Sequence, residues 1–141
     1  MGGPEIPGIG FAAGIERLVA LREVLNLKPE VSSVRISLIP LDEGSEKEAW
    51  RVLQMLRSIP LNETQPVVLE MDYKGNVKRR MERANKKQCD YVLLLGEVET
   101  PKLKHLATGA QHACSAQQLY TMLQGADNLR ATLERFVTEG L

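Results

Sequence analysis

Between Val34 and Leu95 the chain repeats one pattern: an apolar run, a turn, a stretch at helical spacing, then another apolar run. Val34 to Ile39 is predicted as a strand, closed by Pro40 and the acidic turn Asp42-Glu43-Gly44. Ser45 and Glu48 stand at capping-box spacing and open a predicted helix with Ala49, Val52, Leu53 and Leu56 as its buried stripe. Pro66 to Met71 is a second predicted strand. Asp72-Tyr73-Lys74-Gly75 then turns into a second helix, with Asn76 as N-cap and Val77, Met81 and Ala84 inward. Tyr91 to Leu95 is continuously apolar, as strands covered on both faces are. Strand, helix, strand, helix, strand leaves few solutions: right-handed crossovers and a largely parallel sheet.

After Gly96 the rhythm changes. Lys102 to Leu106 and Gln111 to Cys114 flank Ala107-Thr108-Gly109-Ala110 and read as a hairpin. Ser115 with Gln118 forms another capping box, and the apolar spacing from Leu119 to Val137 gives one long helix or two broken at Gly125. The expected fold is α/β: a mixed sheet of about five strands flanked by three or four helices. Residues 1–25 differ, with glycines and prolines crowding an apolar strand-like segment before Ile15, Leu18 and Val19 turn helical. Residues 26–33, with Lys28-Pro29, read as a linker.

The 141 residues balance 18 Lys+Arg against 18 Asp+Glu, but the zero net charge is segregated. From Lys74 to Lys87 seven basic residues face only Glu82, a local excess of six positive charges. With Val77, Met81 and Ala84 inward, this charge is expected to spread over the exposed helix surface, either as a solvated face or as a phosphate-contacting one. No apolar run approaches the ~18–20 residues that span a bilayer, and the first residues lack the pattern of a signal peptide. Cys89 and Cys114 are too few for a disulfide scaffold, suit a reducing cytoplasm and are expected as small core residues. With His105 and His112 they match no zinc spacing, so no metal site is expected. No P-loop lysine or Gly-x-Ser-x-Gly elbow is present, and Gly8-Ile9-Gly10 lacks the context of a dinucleotide fingerprint.

Gly2-Gly3-Pro4 and Pro7-Gly8-Ile9-Gly10-Phe11-Ala12-Ala13-Gly14-Ile15-Glu16-Arg17-Leu18 resemble motif 3 of class II aminoacyl-tRNA synthetases of the histidyl type. Residues 34–141 resemble the anticodon-binding domain of the same family. Gly75-Asn76-Val77-Lys78-Arg79-Arg80 is similar to its basic helix, Gly96-Glu97-Val98-Glu99 to its Gly-x-x-Glu strand end, and Thr108-Gly109-Ala110-Gln111 to its Thr-Gly-x-Gln turn. The resemblance implies that residues 1–25 are a remnant of the catalytic domain, with Gly14 and Arg17 left from its ATP site. It implies tRNA contacts from Lys78, Arg79, Arg80, Arg83, Glu99, Lys104 and Gln111, with Glu99 and Lys104 facing anticodon bases and Arg79 near the backbone.

The implied partner is histidine tRNA, and the implied parent is a cytoplasmic homodimer that activates histidine with ATP and Mg and charges its tRNA. Motifs 1 and 2 are missing from these residues, so no cofactor and no catalysis are expected of the chain alone. Met1 followed at once by the motif reads as a truncation. Between Glu99 and Lys104 the chain is shorter than in most relatives, and after Gly125 it is longer. The alternative is a non-ligase paralogue of the histidyl synthetases, serving as a regulatory or protein-interaction subunit such as that of ATP phosphoribosyltransferase. Its Ile15-Glu16-Arg17 and its anticodon-like domain favour the ligase reading.

Overall fold

A computed structural model describes residues 12–25, 33–60 and 65–140. The chain divides into two units, Met1–Glu30 and Val31–Leu141. In the first, α1 (Ile15–Val24) follows Gly14, whose extended backbone serves as N-cap. The helix is as the spacing predicts, yet Ile15 is 77% exposed and no described residue of α1 is buried. The strand-like segment before Ala12 and most of the expected linker, residues 26–32, lie outside the described residues.

The second unit contains β1 (Val34–Pro40), α2 (Glu46–Arg57), β2 (Val67–Met71), α3 (Val77–Lys86), β3 (Tyr91–Leu95), β4 (Lys102–His105), β5 (Gln111–Ala113), α4 (Ala116–Gly125) and α5 (Leu129–Glu139). The five strands form one sheet in the order β2-β1-β3-β4-β5. β1 pairs in parallel with both β2 and β3, while β4 and β5 are antiparallel additions. From β1 the chain crosses to one side to make β2, then returns past β1 to make β3. Two right-handed crossovers in opposite directions put α2 and α3 on opposite faces of the sheet.

The core follows that division. One cluster joins Val34, Ile36, Leu38, Tyr91, Leu93 and Leu103 to the inner stripes of α2, α4 and α5. The other, smaller cluster joins Ile39 and Val92 to Ala84 and Cys89, with Val77, Met81 and Leu94 packed against it. Among the described residues of this unit, three helices thus cover one face and α3 serves the other.

Helix ends follow the sequence closely, with one exception. Ser115 Oγ accepts from Gln118 N at 3.1 Å while Gln118 Oε1 accepts from Ser115 N at 2.9 Å, the predicted capping box. The C-terminal helical region is two helices, with Asn128 Oδ1 capping α5 through Ala131 N at 3.2 Å. Ser45 corrects the expectation, because its side chain caps nothing downstream. It is instead the third residue of a box one turn earlier. Asp42 Oδ1 accepts from Ser45 N at 2.7 Å, and Asp42 N approaches Ser45 Oγ at 3.4 Å. The Ser45 hydroxyl turns back as well, donating to Asp42 O at 3.0 Å, so both polar groups of Ser45 are engaged upstream of the helix.

Cys89 and Cys114 are both buried free thiols. Burial pushes the Cys89 thiol up to about 12, helped by Glu70 beside it, and the Cys114 thiol up to about 11. A thiol must ionise to react. Neither is therefore expected to react with a disulfide reagent at pH 8 in the folded protein, and both should react promptly in denaturant, as a thiol titration would read. Rapid native reaction of either would contradict the burial.

Candidate nucleic-acid interface

The face of the sheet that carries α3 has one helix for five strands. Register decides what the uncovered part displays. Val92 and Leu94 of β3 point toward α3, and their partners across β4 are Lys104 and Lys102. Those lysines in turn stand opposite Gln111 and Ala113 of β5. Cross-strand partners share a face, so Lys102, Lys104, Gln111 and Ala113 all lie on the α3 side, and Gln111 and Ala113 are exposed.

The Thr108-Gly109 turn sets this register. Gly109 adopts φ +76°, which a residue with a Cβ rarely takes. Thr108 Oγ1 accepts from Ala110 N at 3.3 Å and meets His105 Nδ1 at 3.1 Å, and His105 N donates to Ala110 O at 2.8 Å. Lys104 and Gln111, seven positions apart in sequence, thereby become direct neighbours. Glu99 is exposed and pairs with Lys102 Nζ at 3.6 Å, not with Lys104. Both ends of that pair are wet, so it is worth at most about 1 kcal/mol and opens readily for a ligand. Lys102 escaped the sequence reading, although its period-2 spacing from Lys104 marks it as sharing that face.

Along α3 the basic residues separate into two kinds. Asn76 Oδ1 caps the helix by accepting from Arg79 N at 2.9 Å, and Gly75 before it takes φ +79°. Lys78, Arg79 and Lys86 are exposed, and none is paired with a carboxylate among the described residues. Arg80 is different and corrects the expected surface role: it is only 9% exposed. Its Nη1 donates to Pro40 O at 2.6 Å, Nη2 to Tyr73 O at 2.7 Å and Nε to Gly75 O at 2.9 Å. Glu46 Oε1 lies 3.7 Å from Nη2. The guanidinium ties the ends of β1 and β2 to the start of α3 and has little left to offer a phosphate. The signal was in the sequence, since Val77, Arg80, Met81 and Ala84 follow the i, i+3, i+4, i+7 spacing of one helix face.

Arg83 is half-engaged. Its Nε donates to Asp72 Oδ2 at 2.5 Å, its Nη2 to Asp72 Oδ1 at 2.8 Å, and the same Nη2 reaches Lys74 O. This bidentate bond holds the Asp72 carboxyl below its usual 3.8. A carboxyl lowered by folding stabilises the fold above its unfolded pKa and loses that contribution as pH falls through the folded value. Asp72→Asn is therefore expected to lower Tm at pH 7 and to flatten the fall of Tm below about pH 4. Parallel Tm-against-pH curves for the two proteins would contradict it. Lys87, at the end of the basic run, pairs with Glu70 at 3.1 Å.

Arg17 and Gly14, the expected ATP-site remnant, lie in the first unit on and before a helix whose described residues are all exposed. The other glycines of that motif fall outside the described residues. Among the described residues no three His, Cys, Asp or Glu side chains are grouped to hold a metal ion. No described helix is long and apolar enough to cross a membrane.

Comparison with known proteins first shows a shared fold. The fold is shared with two solved synthetase structures, each at 18% identity. One is apo histidyl-tRNA synthetase of S. aureus, with a TM-score of 0.55 over 79% of this chain and 28% of that chain. The other is the RNA-binding domain of threonyl-tRNA synthetase from Cryptosporidium parvum, with a TM-score of 0.52 over 64% of this chain and 22% of that chain. No family model matches the chain.

Sequence narrows the class. The chain is 40% identical to the histidine–tRNA ligase of Lacticaseibacillus casei over 120 residues, 80% of this chain and 26% of that protein. It is 34% identical to that of Gluconacetobacter diazotrophicus over 129 residues, 89% of this chain and 29% of that protein. It thus spans between a quarter and a third of the length of these curated relatives. The chain is related to the carboxyl-terminal part of the histidyl-tRNA synthetases, as its motifs implied.

Proposed function

We propose that this chain recognises histidine tRNA, docking the anticodon stem-loop on the open sheet face and on α3 as the carboxyl-terminal part of a histidine–tRNA ligase. The observation that carries the reading is the pairing of Lys104 with Gln111 on a face that α3 leaves uncovered at β4 and β5. The relationship to histidine–tRNA ligases supports histidine tRNA as that RNA. Glutamine offers a donor and an acceptor to a splayed base, lysine addresses acceptor edges, and the Glu99 carboxylate accepts from base amino groups. Lys78 and Arg79, exposed at the start of α3, meet phosphate, where each neutralised charge releases counterions. Arg83 contributes through Asp72, by fixing the turn that leads into α3.

Residues 1–25 and 34–141 correspond in this reading to the end of the catalytic domain and to the anticodon-binding domain, joined by a linker at 26–33. Histidine activation belongs to the full-length, homodimeric parent in the cytoplasm. Gly14 and Arg17 would be part of the ATP site of that full-length protein. The test is binding of labelled histidine tRNA across a salt series. A Kd that weakens steeply and log-linearly with salt is expected; no binding at low salt would sink the proposal.

A further inference from the structure

The chain has a single tryptophan, and it is not in the core. Trp50 on α2 is 45% exposed and Tyr73, just past β2, is 44% exposed. Their ring centroids lie 6.3 Å apart with planes tilted by 48°. Neither ring belongs to either hydrophobic cluster of the described residues.

Their position is fixed from beneath. Arg80 Nη2 holds Tyr73 by its carbonyl and also approaches Glu46, which stands one helical turn before Trp50 on the same side of α2. One buried guanidinium thus sets both supports. The same arginines also engage the nearby acids: Glu46 is paired with Arg80 and Asp72 with Arg83. The nearby cations are left over. Lys47, three residues before Trp50, is exposed, as are Lys74, Lys78 and Arg79, and none is paired with a carboxylate among the described residues.

We infer that Trp50 and Tyr73 form a stacking platform for an unpaired base of bound RNA, whose phosphates are met by Lys47, Lys74, Lys78 and Arg79. Half-exposed rings on elements that also carry exposed cations suit single-stranded nucleic acid, because every base has a face to stack and every nucleotide carries a negative charge. The inference rests on the tRNA-binding reading and extends it to the loops at the carboxyl ends of β1 and β2.

Because Trp50 is the sole tryptophan, intrinsic emission reports this site alone. The probe is the anticodon stem-loop of histidine tRNA, titrated while Trp50 emission and the anisotropy of an end-labelled RNA are both read. Emission is expected to fall with the same midpoint as the anisotropy change. Trp50→Ala and Tyr73→Ala should each weaken binding about tenfold, and Trp50→Phe much less. A blunt duplex of the same length should leave emission unchanged. Thermal melts check that the variants are folded, and Trp50→Phe serves if the alanine variant is not. Anisotropy that saturates with unchanged emission, and with Tyr73→Ala binding as tightly as the parent, overturns the platform, leaves the tRNA reading standing and leaves the rings to a protein partner. No anisotropy change at low salt overturns both.

Discussion

Arg80→Ala is expected to lower the stability of the Val31–Leu141 unit by about 3 kcal/mol, or about 10 °C in Tm. The side chain satisfies three backbone carbonyls, those of Pro40, Tyr73 and Gly75. Removing it takes the donor from the buried Pro40 carbonyl, which then bears its full desolvation cost, and frees the part-buried Tyr73 and Gly75 carbonyls at the turn into α3. Arg80→Lys separates this account from a surface-charge one. Lysine keeps the charge, but a single ammonium does not reproduce a planar fork that reaches three separated oxygens. Arg80→Lys should therefore melt well below the parent protein, closer to Arg80→Ala. If it melts with the parent, the carbonyl network is not what holds α3.

The second large effect concerns binding rather than folding. Neutralising Lys78, Arg79 and Lys104 together as glutamines is expected to leave Tm within a few degrees of the parent, since none is in an ion pair among the described residues. The slope of log K against log salt for tRNA should become shallower by about two units, with a loss of at least about tenfold in affinity near ~0.1 M salt. The opposite behaviour of Arg80 and Arg79, adjacent in sequence, is the sharpest consequence of the structure. One holds the fold and the other faces solvent. A triple variant that binds with an unchanged slope would remove α3 and β4 from the interface.

Much of the fold was legible because hydrophobic spacing and turn chemistry agreed. The stripe Ala49, Val52, Leu53 and Leu56, the Asn76 cap, the apolar β3 and the Ser115–Gln118 box all appear as read. What was misread involved a competing partner distant in sequence or a rule applied too simply. Ser45 stands at N-cap spacing from Glu48, but Asp42 engages both its N–H and its hydroxyl one turn earlier. Arg80 was counted as charge when its helix position already placed it with Val77 and Ala84. An arginine in an apolar stripe is stable only if carbonyls await it, and Pro40, forty residues away, cannot be assigned to it from spacing.

The candidate interface was legible as residue types and not as an arrangement. The basic helix and the Thr-Gly turn could be named from sequence, whereas the pairing of Lys104 with Gln111 needed the hairpin register. That α3 is the one described helix of this unit on this face follows from which core cluster each helix joins, which the element pattern alone does not specify. Trp50 and Tyr73 carried no motif. They stand out only once both are found outside the core.

The most direct measurement of the central claim compares histidine tRNA with the same tRNA carrying a replaced anticodon, both bound to this chain across one salt series. Anticodon recognition through Glu99, Lys104 and Gln111 predicts weaker binding of the altered tRNA by about tenfold or more at every salt concentration, with similar slopes for both. Equal affinities throughout would contradict anticodon recognition and reduce the interface to a basic surface that holds RNA of any sequence.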